Sequence, residues 1–154
     1  MIRLNISVEP RDAAYRDLLR VATEYCDEGL VVTRPSLEID DHARSFLERL
    51  RPFLVNVQES SEWPGTVLYD EKATLYTFSY NDFAMKLLIS KTSGLYEWQQ
   101  PSLPEDLCLF SREERRPWLV TIAHERDAYI DVTRDVMDAL MPKMNNIKVD
   151  ERQT

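Results

Sequence analysis

The run His124-Glu125-Arg126-Asp127 is the densest set of side chains in this chain that could do chemistry. An imidazole beside carboxylates can act as a general base or a metal ligand, because it exchanges its proton near neutral pH and offers a ring-nitrogen lone pair. A helical zinc site needs a second histidine four residues on, and position 128 is alanine. His42 is the only other histidine. If the apolar segment ahead of it is a straight strand, Trp118, Val120, Ile122 and His124 share one face, since side chains alternate. The candidate pocket is therefore Trp118, His124, Glu125 and Asp127, set against a plainer reading of His124 as a structural residue closing a strand. No residue is assigned as catalytic, and no metal or cofactor is expected.

Other nucleophile and phosphate signatures are missing. No Gly-x-Ser-x-Gly elbow occurs, and three glycines in 154 residues cannot build a glycine-rich phosphate loop. Asp127, Asp131 and Asp135 recur every four residues but lack the glycine turn of a calcium loop, so they read as a solvated face and helix N-terminal charge. Cys26 and Cys108 lie far apart without Cys-x-x-Cys spacing and read as buried, reduced thiols. Enzyme readings lose support accordingly.

A second constellation is aromatic and acidic. Trp63 opens the turn-like Trp63-Pro-Gly-Thr66, and Trp98 lies in a loop held by Pro101 and Pro104. Tryptophan in loops is a frequent anchor of protein interfaces. Trp63, Tyr96, Glu97, Trp98, Glu105 and Asp106 form the candidate binding surface, with burial of both tryptophans beneath their loops as the alternative.

These residues must be positioned by regular elements. Ile2, Leu4, Ile6 and Val8 alternate with polar residues, which predicts a half-buried strand. Tyr15, Leu18, Leu19, Ala22, Tyr25 and Cys26 follow helical spacing, with Gly29 as the stop. A second helix is expected from Asp40 or Asp41, ending near Pro52. Residues 56–62 read as a polar connector. Strands are expected at 66–69, 73–80, 85–89, 107–110, 118–123 and 128–132, joined by short polar breaks that suit antiparallel pairing. Residues 81–90 fit a short helix equally well. Thr133 can cap a last helix, and residues 148–154 read as a polar tail. The expected fold is α+β: N-terminal helices packed on a largely antiparallel β-meander, followed by a C-terminal helix, in one domain spanning 1–147.

The net charge is −8, from 27 acidic and 19 basic residues. Such a field repels nucleic-acid backbones and attracts basic surfaces, and the one basic cluster, Arg112, Arg115 and Arg116, is interrupted by Glu113 and Glu114. No segment has the pattern of a signal peptide or the ~20 apolar residues of a membrane span, so a cytoplasmic setting is expected.

The motifs Trp63-Pro-Gly-Thr66, Leu95-Tyr-Glu-Trp98, Leu103-Pro-Glu-Asp-Leu107 and Trp118-Leu-Val-Thr-Ile-Ala-His-Glu125 occur in that order. Together they resemble a family of small uncharacterised bacterial proteins, some of which carry a sporulation-stage label. The resemblance implies a bacterial origin and a related fold, and brings no activity. The leading expectation is a non-enzymatic module that binds a protein partner, such as an immunity-type toxin neutraliser, or that self-associates. The rival is a small-ligand binder or enzyme at His124, Glu125 and Asp127.

Overall fold

The computed structural model describes residues 1–153. Strand β1 (Ile2–Ile6) buries Ile2, Leu4 and Ile6 and leaves Arg3 and Asn5 half-buried, as the alternation requires. Helix α1 (Ala13–Ala22) buries Tyr15, Leu18, Leu19 and Ala22 at helical spacing. It stops earlier than its periodicity predicts. Cys26 opens a strand, β2 (Cys26–Thr33), and Gly29 lies inside it. The glycine is required there because Phe78, its partner across the ladder, fills the space a Cβ would occupy.

Helix α2 (Asp41–Leu50) starts where its cap predicts, with the Asp40 carboxylate accepting from the Ala43 N–H at 3.1 Å. The expected connector at 56–62 is instead strand β3 (Leu54–Ser60), leading into a small hairpin of β4 (Glu62–Trp63) and β5 (Thr66–Val67). Its polar composition fits an edge strand, most of whose side chains face solvent. Strand β6 (Ala73–Ser79) is followed by helix α3 (Asp82–Lys91), capped by Asn81, so residues 85–89 are helical and not a strand. Strands β7 (Glu105–Ser111), β8 (Pro117–Ile122) and β9 (Asp127–Val132) follow. Helix α4 (Arg134–Leu140) is capped by Thr133 as expected. The supposed tail contains β10 (Val149–Gln153), which pairs with β1.

The main sheet has eight strands in the order β10-β1-β9-β8-β7-β2-β6-β3, antiparallel throughout. The chain is thus α+β with a large antiparallel sheet. The helices are interleaved with the strands and do not precede them as a block. Alternation divides the buried residues into two clusters. Val31, Phe78, Leu107 and Leu109 join the helices' apolar residues in the larger one. Leu30, Val32, Leu75, Cys108, Val120 and Ile122 lie in a smaller cluster with Trp63 of the hairpin. No described helix is long and apolar enough to cross a membrane.

Candidate functional site

Consecutive residues of a regular strand point to opposite faces, so Glu105 and Asp106 should diverge. They do not, because the β2–β7 ladder slips by one residue between Leu30–Cys108 and Val32–Glu105. Asp106 takes a left-handed backbone conformation, φ 56°, at this bulge. A bulge with an aspartate in that region re-aims side chains without needing glycine. Both carboxylates end up buried, at 3% and 1% exposure. The 3-10 turn after β8, Ala123–Glu125, brings His124 to them from the solvent side. Ligand atoms of Glu105, Asp106 and His124 all lie within 4.8 Å of one another.

Four segments hold this cluster. Asp106 accepts from the Trp63 indole N–H and from the Ala123 backbone N–H, each at 3.0 Å. Its own backbone N–H donates to the Trp98 carbonyl at 3.0 Å. The Gln100 N–H donates to one oxygen of Glu105. The Gln100 side chain is fixed in turn by the Arg34 N–H and by the carbonyls of Arg34, Leu37 and Glu38. Each of the four sequence motifs therefore supplies a residue to one place.

Burial is the largest cause acting on both acids and raises their pKa values above the ordinary carboxylate range. The hydrogen bond from Gln100 opposes this for Glu105, and those from Ala123 and Trp63 oppose it for Asp106. The charge of Asp106 raises Glu105 further, while His124 and Arg34 lower both. Arg34 is committed to Glu71 at 2.9 Å, so among the described residues no lysine or arginine side chain pairs directly with the two acids. No described group donates a hydrogen bond to the second oxygen of Glu105, or to the exposed ring of His124.

The site residues read from the sequence are redistributed. Trp63, Tyr96, Trp98, Glu105 and Asp106 are buried, and Glu97 alone of that set is exposed, so the expected binding surface is not a surface. The reason is polar partnering inside the fold. The Trp98 indole donates to the Tyr15 hydroxyl at 3.0 Å, and its ring meets Phe46 edge-on at 5.0 Å. Tyr96 and Glu97 line a polar groove of about 580 Å³ in which Glu9 bridges Arg11 and Arg126. Trp118 does not share a face with Val120 and Ile122. The β7–β8 ladder slips between Leu109–Leu119 and Phe110–Pro117, and this extra residue places Trp118 in the helix-side cluster with Leu119. Of the candidate pocket, His124 and Glu125 lie on the exposed turn and Asp127 is the exposed first residue of β9, and Trp118 is separated from them by the length of β8.

The partnership of His124 with Glu105 and Asp106 was not legible in the spacing, since eighteen positions separate Asp106 from His124. A weak signal existed: two consecutive acids set between Leu103 and Leu107 in a segment whose neighbours are buried. No known protein family, curated protein or solved structure matches the chain.

Proposed function

We propose that the protein is a small binding domain whose ligand is a divalent transition-metal ion held by Glu105, Asp106 and His124. The observation that carries this reading is the convergence of two buried carboxylates and one imidazole within 4.8 Å. Donors at about 2.0–2.2 Å around one tetrahedral zinc ion lie ~3.3–3.6 Å apart, so the three groups draw together by up to about 1.5 Å to hold it. The exposed side chain of His124 is free to supply that movement. Carboxylate with imidazole favours zinc- or manganese-class ions over calcium, and three protein ligands leave positions open for water or a partner group. The cation also answers an electrostatic need, because it offsets two carboxylates whose charge burial disfavours. The buried free thiols Cys26 and Cys108 fit action in a reducing, cytoplasmic compartment.

The test is calorimetric titration of tag-free, metal-free protein with zinc chloride and manganese chloride. One ion per chain is expected in the wild type, with at least tenfold weaker binding in His124→Ala and unchanged circular dichroism. Unaltered affinity in that variant would remove the reading.

A second reading, docking on a basic protein partner, keeps two supports: the charge of −8 and the outer edge of β3, where Val55 and Val57 are 58% and 50% exposed. A toxin neutraliser would use such an edge by strand addition. If one basic protein cross-links to the wild type and equally well to Val57→Lys, this edge is not the contact.

A further inference from the structure

A separate cavity of about 240 Å³ opens between the β7–β8 turn and the start of α4, at the Trp118 end of β8. That is roughly the space of eight waters, enough for a short aliphatic chain. Tyr25, Val132 and Val136 give it an apolar wall. Trp118, 2% exposed, stacks on Tyr25 in near-parallel planes, 5.8 Å apart at 11°, and so fixes the Tyr25 ring, which stays half-buried. The turn that carries Glu113 and Glu114 is tied to the same wall. The Arg112 N–H donates to the Tyr25 carbonyl at 2.8 Å, and the Glu114 N–H donates to the Ser111 hydroxyl at 3.0 Å.

Charge narrows what fits. Glu24, Glu113, Glu114 and Asp131 line the cavity against one base, Arg112, whose guanidinium is spent on the carbonyls of Glu24 and Cys26 at 3.4 Å. Asp131 is held by Arg3 at 2.9 Å and Arg116 at 3.8 Å, and Glu24 by Lys143 at 3.0 Å. Glu113 and Glu114 are exposed, and among the described residues no basic side chain pairs with either. The chain itself shows what this wall attracts: the Lys143 ammonium, bound to Glu24, stands 6.0 Å from the centre of the Tyr25 ring. A carboxylate beside an aromatic ring draws a cation both by charge and by the ring's quadrupole. A bare metal ion needs ligands gathered on one point, and among the described residues only Glu105, Asp106 and His124 are so gathered. An organic cation makes no such demand. We propose that this cavity binds a small alkylammonium ion, its carbon chain against Tyr25 and Val136 and its ammonium group facing Glu113 and Glu114.

Butylammonium, butanol and butyrate serve as matched cationic, neutral and anionic probes at equal ionic strength. In nitrogen-15 spectra of the whole chain, butylammonium is expected to shift the backbone signals of Tyr25, Thr133 and Val136 saturably at millimolar concentration. Butanol and butyrate should each bind about tenfold more weakly. The double variant Glu113→Gln/Glu114→Gln changes two exposed side chains on the turn and should bind butylammonium about fivefold more weakly, with its other signals in place. A lysine side chain of another protein presents the same group, and Nα-acetyl-lysine methylamide stands for it. Tighter binding of butylammonium assigns a free amine as the ligand, and tighter binding of the lysine derivative assigns a partner's side chain; each supports the shared chemistry. The proposal is overturned if millimolar butylammonium leaves the three signals unmoved, if the double variant binds it as the wild type does, or if butanol or butyrate binds as tightly.

Discussion

Asp106 is the residue on which the site turns, because both of its oxygens are satisfied by groups from distant parts of the chain. Replacing Trp63 by phenylalanine keeps the ring but removes one donor, leaving a buried carboxylate oxygen unpartnered. The expected loss is about 1–3 kcal/mol in urea unfolding. Glu105 and Asp106 also set a pH dependence. Their pKa values in the folded chain lie above the unfolded values of about 4, so the folded state holds more protons between those limits. Their contribution is therefore full below pH ~4, and stability falls as pH rises through the raised folded values. In metal-free protein, Glu105→Gln should flatten part of this decline and be at least as stable as wild type at pH 7. Urea midpoints across pH 4–7 give the slope, and a slope as steep as wild type would show that Glu105 is not its source.

At the scale of elements, three features decide what the sequence could and could not reveal. Where one face is buried and the other half-wet, alternation placed β1, apolar runs between polar breaks placed β6, β8 and β9 close to their observed positions, and the side-chain caps Asp40 and Thr133 marked two helix starts. Where burial is different, periodicity failed. Strand β2 is buried on both sides through Leu30, Val31 and Val32, and Cys26 at its start extended a helical spacing by coincidence. Strand β3 is an exposed edge and β10 a short one, so neither needs an apolar pattern. Bulges are invisible to periodicity altogether, and the two in β7 and β8 set the positions of Asp106 and Trp118. Two changes probe these elements. Gly29→Ala forces a methyl group against the Phe78 ring and should cost about 1–3 kcal/mol by overpacking. Deleting the chain from Val149 onward removes the ladder to β1 and should lower the melting temperature by about 4–8 °C, equivalent to ~2 kcal/mol. An unchanged melting temperature would mean that β10 contributes nothing to the fold.

For the whole molecule, the sheet separates two chemistries at opposite ends of β8. One is a carboxylate–imidazole cluster whose parts come from β7 and the turn before β9; the other is the stacked Tyr25–Trp118 pair beside a cavity of about 240 Å³ that Glu113, Glu114 and Asp131 also line. The sequence supplied His124 as a candidate and supplied Glu105 and Asp106 in a different role, as surface acids. Only the sheet order, which sets β7 beside β8, makes them neighbours. Acidic charge over the rest of the chain raises the local concentration of cations, which favours filling such a site. A ligand that binds only the folded state at a hundred times its dissociation constant stabilises by about 2.7 kcal/mol, which is roughly 5–11 °C for a domain of this size. The most direct measurement is thermal unfolding of tag-free, metal-free protein with and without saturating zinc, alongside His124→Ala. The wild type should gain roughly 5–11 °C and the variant little or none. Equal shifts in both proteins, or no shift in either, would contradict a metal centre at Glu105, Asp106 and His124.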